Sequence, residues 1–285
     1  SKKGQEIARQ LISKSDILVE NFKVGNLSKY NLSYDNLRDE YPSLIYCSIT
    51  GFGQTGPLAE QPGYDFMAQG MGGLMSITGP KDGEPHRVGV PIADLTAGLW
   101  ATIGICAAVR HKEQTGEGQH LDISLLDTQV ASLSIQGLNY LTSGDVPQLL
   151  GNAHPNIVPY QVFPVADGDI IIAVGNDNQF DRFAKFINMP ELAADDRFST
   201  NDKRVINREI LTHILNEKML EKKSSYWLPG LEKIGISAGP INKINQVFEN
   251  QQVLKRGMKI EMNHDLTNTA VSLIGNPIHM SATPP

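Results

Sequence analysis

Asp94 is the side chain in this sequence whose setting is most suited to covalent chemistry. It is the single charge in the 21 residues of Gly89–Val109, which lead into Arg110. A carboxylate at the start of an apolar helix can serve as its N-cap. A partly desolvated carboxylate stabilised by the helix dipole is also a competent nucleophile. The two roles are compatible, and the sequence leaves both open.

A glycine-rich run, Gly51–Gly56, matches the spacing GxGxxG and follows a predicted strand. In dinucleotide-binding proteins a helix opens directly after this spacing and places its N-terminus under the pyrophosphate. Pro57 and Pro62 prevent such a helix here, and no P-loop lysine follows. The run therefore indicates a loop whose bare backbone a ligand can approach closely, and not an NAD or ATP site.

Other common site chemistries find no support in the residue spacing. The seven histidines show no HxxxH or HxH pattern, so we predict no metal site. Cys47 and Cys106 stand in apolar runs, which predicts buried, reduced thiols. The charged runs Asn207–Glu209 and Glu221–Lys223 are typical of solvated helix faces.

The elements that would position Asp94 alternate between helices and buried strands. Strands are predicted over Asp16–Glu20, Leu44–Ile49 and His120–Ser124. Helices are predicted over Asp94–Lys112, with Asp94 as its cap, and over Leu125–Thr142. This alternation predicts an α/β domain with a mostly parallel sheet.

Composition shifts at Gly151, which indicates a second, smaller α+β domain over residues 151–240. A hairpin is predicted over Val158–Val174, with a turn at Asp167–Gly168. Helices are predicted to follow around Asn178–Ile187, Lys203–Lys222 and Ser225–Ile234.

Charge and length exclude several classes of partner. The chain of 285 residues has 25 basic and 31 acidic side chains, a net charge of −6, which argues against nucleic acid as a partner. The uncharged stretch after Asp94 has 15 residues, short of the ~20 that span a membrane, so a buried core helix is predicted. The sequence begins at Ser1 inside a helical pattern, which predicts a piece of a longer protein.

Five motifs in one order resemble the class III CoA-transferases. They are Val19–Gly25, Ile45–Pro57, Gly63–Asp65, Ile92–Gly98 and Thr115–Asp127. The resemblance implies a Rossmann-like large domain, a smaller domain and two chains interlocked as a homodimer. It assigns residues 1–125 to a CoA-binding domain lacking its N-terminal part, 126–150 to a linker helix, 151–240 to the small domain and 241–285 to a returning segment.

The resemblance also implies roles for individual residues. Asp94 falls on the family's catalytic aspartate, and Asp65 on an acidic position close to it. Positions implied to contact coenzyme A are Asn21, Phe22, Lys29, Gly51, Gly53 and Tyr64. A mobile loop covering the site corresponds to Gly151, Asn152, Ala153 and His154, although this segment departs from the glycine-rich form known in the family.

The implied activity is transfer of coenzyme A from succinyl-CoA to a small dicarboxylate, through an aspartyl anhydride and an aspartyl-CoA thioester. Acyl-CoA is then a substrate, and no tightly bound cofactor is expected. An α-methylacyl-CoA racemase is the alternative, but Tyr64 stands where racemases carry a histidine, and tyrosine is a poor base at neutral pH. A CoA-binding protein without turnover is the second alternative. The expected location is the cytoplasm, or the mitochondrial matrix in a eukaryote.

Overall fold

The computed structural model describes residues 1–264, 266 and 269–284, and the chain divides after Asn152 into two units. The first unit contains a parallel sheet with helices, and the second contains two antiparallel sheets with helices. The mixed α/β architecture with a parallel sheet, predicted from the sequence, is confirmed. The finer boundaries at 125 and 240 stay predictions.

The first unit alternates strands and helices along the chain. Its elements are α1 (Lys2–Ile12), β1 (Ile17–Glu20), a 3₁₀ helix (Leu27–Tyr30), α2 (Tyr34–Leu37), β2 (Ile45–Thr50), α3 (Asp65–Met71), a second 3₁₀ helix (Leu74–Ile77), α4 (Ile92–Thr115), β3 (His120–Ser124), α5 (Leu125–Ala131) and α6 (Ser134–Ser143). The three strands pair in parallel in the order β1-β2-β3, which brings their carboxyl ends to one edge.

Strand β2 lies at the centre of this sheet, and its side chains explain why. Ile45, Tyr46 and Cys47 are buried, as expected of a continuous apolar run covered on both faces. Tyr46 packs with Leu37 and Leu44 in one of the apolar clusters of this unit, and its hydroxyl donates to the carbonyl of Leu32.

Helix α4 is longer than predicted and is buried along one face. That face consists of alanines, Ala93, Ala97, Ala101 and Ala108. The opposite face exposes large apolar side chains, and Cys106 is exposed as well. The prediction of a fully buried core helix is therefore wrong. The prediction of a buried thiol is confirmed for Cys47 and wrong for Cys106.

Helix α4 is also long and apolar enough to cross a membrane, judged by length and composition only. In its most apolar stretch, 22% of the residues are buried. Core helices of water-soluble proteins have the same length and composition, so one such helix is weak evidence for a membrane span.

Two predicted helices are each broken in the structure. The segment 125–142 forms α5 and α6, which are separated where Ser134 takes a positive φ of 50°. The segment 203–222 forms α9 (Asn201–Ile206) and α10 (Arg208–Met219), which meet at Asn207. Apolar periodicity continues through both breaks, so the pattern gave no sign of them.

The second unit begins with the predicted hairpin. Its elements besides α9 and α10 are β4 (Tyr160–Val165), β5 (Gly168–Ala173), α7 (Asp177–Phe186), α8 (Glu191–Ala194), α11 (Ser224–Lys233), β6 (Ser237–Pro240), α12 (Ile244–Glu249), α13 (Gln251–Lys255), β7 (Lys259–His264) and β8 (Thr269–Ile274). Strands β4, β5 and β6 form one antiparallel sheet, and β7 pairs with β8.

One large apolar cluster forms the core of residues 158–236 in the second unit. Phe163 and Ile170 of the sheet pack with Phe183 of α7 and with Trp227 of α11. Arg204 is also fully buried there, and its guanidinium donates to the carbonyls of Val158 and Phe198 and to Asp177. Each of its three donor nitrogens therefore has an acceptor, as a buried charge requires.

Candidate active site

The start of α4 brings two carboxylates together. Asp94 is the third residue of this helix, and Pro91 occupies the N-cap position without a side-chain bond. The cap is supplied instead by Asp65, the first residue of α3. Its Oδ1 accepts the backbone N–H of Ala93 at 2.8 Å and that of Asp94 at 3.4 Å. The prediction that Asp94 caps α4 is wrong, because the helix begins two residues earlier.

The surroundings of Asp94 change its acidity. Partial burial raises the pKa of the Asp94 carboxyl above its ordinary value, and the negative charge of Asp65 raises it further. The side chain is nevertheless exposed within this unit, so the expected desolvation is met only in part. Nucleophilic strength increases with basicity, so both causes make the ionised carboxylate a better nucleophile.

Gly51 and Gly63 lie in close contact where the chain leaves β2 and returns to this site. A Cβ added at Gly51 would lie 2.4 Å from the Cα of Gly63, a distance that no side chain tolerates. The loop 51–63 therefore closes on itself and delivers Tyr64 and Asp65 beside the sheet edge. The Cβ side of Gly51 is therefore filled by the chain itself, and the approach of a ligand to its backbone stays a prediction.

The N–H groups of this loop and of the helix start are largely used internally. Gly53 donates to Thr50 Oγ1 at 3.0 Å, and Gln54 donates to both carboxylate oxygens of Asp122 at 2.9 and 3.1 Å. The first N–H groups of α4 donate to Val90, Asp65 and Pro91. These groups already have acceptors and are not available as an oxyanion hole.

A cavity of about 370 Å³ opens at the carboxyl ends of the strands, where open α/β sheets bind their ligands. Six of the eight predicted catalytic and CoA-contact residues line it. They are Asn21, Phe22, Gly51, Tyr64, Asp65 and Asp94. The other two, Gly53 and Lys29, are not part of the lining. Lys29 lies on the neighbouring 3₁₀ helix, where its Nζ donates to Asn26 Oδ1 at 3.0 Å.

The predicted covering loop falls across the boundary between the two units. Gly151 and Asn152 belong to the first unit, whereas Ala153 and His154 belong to the second. His154 stacks on Tyr160, and burial followed by the charge of Arg208 lowers the pKa of its imidazole.

The guanidinium of Arg208 fixes the second half of that loop. It donates to the carbonyl of His154 at 3.1 Å and to that of Pro155 at 2.5 Å. The prediction that Asn207–Glu209 is a solvated face is therefore wrong for Arg208, which is half-buried and bound to the loop backbone.

Two residues that position this site were not singled out from the sequence. Asp122 holds the loop at Gln54, and the buried side chain of Gln69 contacts Asp65. The spacing of Asp65 and Gln69 is i,i+4, the neighbour spacing of a helix, and would have indicated the second contact. Among the described residues, no three His, Cys, Asp or Glu side chains form a group that could hold a metal ion.

Comparisons with known proteins agree with this geometry. The family model described as CoA-transferase family III matches residues 1–285. A succinate–glutarate CoA-transferase of Agrobacterium fabrum is 45% identical over 281 residues, which are 99% of this chain and 70% of the relative. The human succinyl-CoA:glutarate CoA-transferase is 43% identical over 262 residues, 92% of this chain and 60% of the relative.

A solved structure gives the same result. The crystal structure of a CAIB/BAIF family protein from Brucella suis superposes with a TM-score of 0.83 at 47% identity, over 100% of this chain and 74% of that one. The family match, the two transferases and this fold are consistent with the resemblance of the sequence motifs. The chain therefore belongs to CoA-transferase family III.

Proposed function

We propose that this chain is part of an enzyme that transfers coenzyme A from succinyl-CoA to a small dicarboxylate, with glutarate as the first acceptor to test. The observation that carries the proposal is the pair Asp94 and Asp65 at the edge of the strand-end cavity. Support for the substrates comes from relatives at 43–45% identity, whose names specify succinate or succinyl-CoA together with glutarate.

Asp94 acts as the nucleophile in this proposal. Its ionised carboxylate attacks the thioester carbonyl of succinyl-CoA and forms a new C–O bond. The C–S bond then breaks, and its electron pair leaves with sulfur as the CoA thiolate. The products are a mixed anhydride on Asp94 and free CoA held in the site.

The remaining steps move CoA to the acceptor without loss of the thioester energy. The thiolate attacks the aspartyl carbonyl, which forms the aspartyl-CoA thioester and releases succinate. The acceptor carboxylate then attacks that thioester, and the returning thiolate converts the new anhydride into acceptor-CoA and free Asp94. One thioester is broken and one is formed in each cycle, so the reaction needs no external energy source.

The residues that line the cavity are proposed to contact coenzyme A. Asn21, Phe22, Gly51 and Tyr64 contact the thioester end or the adjoining part of CoA, since they line the cavity next to Asp94. Lys29 lies outside the cavity lining, and we propose that it contacts a phosphate of the part of CoA that extends beyond the cavity. Gly53 is proposed to lie beside the same part of CoA. Gly151–His154 remains the proposed cover, which would protect the anhydride from water.

The finer fold assignment is also part of the proposal. We infer a Rossmann-like large domain and an interlocked homodimer, supported by family membership and by the exposed apolar face of α4, which includes Leu99, Trp100 and Ile103. The unfolding midpoint of the full-length protein should then rise with protein concentration. An active monomer in light scattering would contradict the dimer. The cytoplasm or the mitochondrial matrix is retained as the proposed location.

Isotope exchange in the full-length protein tests the activity. Labelled glutarate should enter glutaryl-CoA when succinyl-CoA is supplied, and a CoA-binding protein without turnover would give no exchange. In D₂O, deuterium should not enter the α-carbon of 2-methylacyl-CoA. Incorporation would instead identify a racemase.

Trapping the covalent intermediate tests the nucleophile separately. Incubation with succinyl-CoA and no acceptor should leave an adduct at Asp94, which hydroxylamine converts to a hydroxamate that peptide mass reveals. An adduct on another residue, with exchange intact, would keep the activity and reject the mechanism.

A further inference from the structure

Gln69 is a fully buried side chain on α3, one helical turn after Asp65. Its Nε2 donates to Asp65 Oδ2 at 2.7 Å, and its Oε1 accepts the backbone N–H of Val88 at 2.9 Å. Both polar ends of this amide are therefore hydrogen-bonded, one to a side chain and one to a backbone N–H. A buried amide with two specific partners fixes the orientation of both.

We propose that Gln69 is a positioning residue for the transfer reaction, which holds the Asp65 carboxylate beneath the first turn of α4 and thereby fixes the nucleophile Asp94. The inference rests on the proposed function, because it assigns the role of Gln69 through Asp94. Gln69 itself does not line the cavity and is not proposed to touch substrate.

The contacts form one connected chain from Gln69 to the nucleophile. Gln69 holds Oδ2 of Asp65, which leaves Oδ1 directed at the N–H groups of Ala93 and Asp94. The same amide holds Val88, four residues before α4 begins. The start of α4 is therefore fixed both by the carboxylate below it and by the segment that enters it.

The direction of the amide is determined by its partners. The N–H of Val88 can only donate, so it requires the oxygen of Gln69, and the NH₂ group must then face the carboxylate of Asp65. Glutamine is the residue that offers an acceptor and a donor at these two places without adding a charge. A carboxyl group can replace it only while it carries a proton.

Few other charges face Gln69. The elements packed against α3 are α4, α5 and the 3₁₀ helix Leu74–Ile77. Helix α4 contributes Asp94 at the near end, with Cys106 and the ionisable residues 110–113 farther along, and α5 contributes the exposed Asp127. The segment that holds Val88 contributes His86 and Arg87, both exposed. The 3₁₀ helix carries no ionisable side chain. A pH effect that Gln69→Glu shows and Gln69→Met does not would therefore arise from pairing with Asp65, because these neighbours are the same in both variants.

The first test is Gln69→Met in the full-length protein, which keeps the volume and removes both hydrogen bonds. We expect kcat to fall roughly 10–100-fold, since a displacement of about 1 Å at a reacting group costs up to this factor. KM for succinyl-CoA should keep its wild-type value, because Gln69 is not in the cavity lining.

Gln129→Met is the matched control. Gln129 is likewise fully buried, lies on the adjacent α5 and has neither side-chain polar atom hydrogen-bonded within the described residues. It should keep the wild-type kcat. An equal fall in kcat in both variants would mean that any buried glutamine of this unit matters, and would overturn a specific role for Gln69.

Gln69→Glu separates positioning from a purely structural role. At the 2.7 Å spacing of the native Gln69–Asp65 contact, ionisation of the second of two carboxyls is strongly disfavoured. The introduced carboxyl therefore shares a proton with Asp65 and remains a donor until the pH is high enough to remove that proton. The ratio of variant to wild-type kcat should therefore rise as the pH is lowered from about 8 to about 6. The corresponding ratio for Gln69→Met should not change with pH.

Asp94→Asn distinguishes a failure of this inference from a failure of the proposed function. If Asp94→Asn is inactive and Gln69→Met keeps wild-type kcat, the positioning role is wrong and the nucleophile stands. If Asp94→Asn is active, the proposed mechanism fails and the inference fails with it. Should Gln69→Met not fold, a pH-independent ratio for Gln69→Glu would by itself overturn the inference.

Discussion

The two units of this chain are stabilised in different ways. The second unit has one large apolar cluster, in which Phe163, Phe183 and Trp227 are buried. The first unit has smaller clusters, and it buries hydrogen-bonded polar side chains such as Ser48, Gln69 and Ser124. The region that carries the candidate chemistry thus has less apolar packing and more fixed hydrogen bonding. Substitution of polar residues in the first unit should therefore lower kcat. Substitution of apolar core residues in the second unit should lower the free energy of unfolding.

The largest effect is expected from the proposed nucleophile of the first unit. Asp94→Asn should reduce kcat by roughly 10⁴-fold or more, because an amide cannot form the anhydride. Its free energy of unfolding should hardly change, since the cap of α4 is Asp65 and not Asp94. Steady-state kinetics and urea unfolding of the same preparation check both halves. Near wild-type transfer by a folded variant would show that Asp94 is not the nucleophile.

The next effect belongs to the second unit. Phe163 is fully buried in its apolar cluster, so Phe163→Ala should lower the free energy of unfolding by about 3–5 kcal/mol. Phe66→Ala in the first unit is the control, because this ring is 58% exposed and its loss should cost less than about 0.5 kcal/mol. Denaturant titration measures both. Equal costs would mean that the buried ring of Phe163 stabilises the protein no more than an exposed ring does.

A smaller loss is expected at the glycine contact of the first unit. Gly51→Ala places a Cβ against the backbone of Gly63 and should cost about 1–3 kcal/mol through overpacking. Gly98→Ala is the matched control, since its Cβ would meet nothing within 4 Å on α4 and should raise stability by about 0.5–1 kcal/mol. Thermal unfolding of the pair would show whether the loop depends on this approach.

The smallest effect concerns the pH dependence of the first unit. In the proposed mechanism transfer needs ionised Asp94, so kcat should fall as the pH decreases through the raised pKa of this carboxyl. Asp65→Asn removes the negative charge that contributes to the rise, and the acid limb should therefore move to lower pH. Burial, the larger cause, remains in the variant. A limb that stays in place or moves to higher pH would show that Asp65 does not act on Asp94 through its charge.

Sequence reasoning was strongest where one segment determines its own structure. The run from Leu44 to Ile49 predicted the buried central strand, and the ordered motifs predicted the family and the transferase class, which the comparisons confirm. Six predicted residues also line one cavity, although their roles stay predictions.

Features that depend on the approach of distant segments were not predictable in this way. The cap of α4 comes from Asp65, 28 residues before Ala93, and nothing local to Asp94 indicates it. The exposed face of α4 resembles a core face in composition, and the break at Ser134 leaves the apolar pattern intact. Arg208 looks solvated in sequence because its partners, the loop carbonyls, are more than 50 positions away.

The borrowed cap of α4 has a consequence for the motion of the site. The ends of helices normally fray, because the first four N–H groups have no partner within the helix. At Ile92–Leu95 these groups all bind acceptors, and Asp65 supplies one from another helix. The proposed nucleophile therefore lies in a turn whose N–H groups are already hydrogen-bonded without substrate. Little conformational entropy is therefore lost in this turn when substrate binds. The binding energy of the thioester can then stabilise the transition state instead of ordering the site.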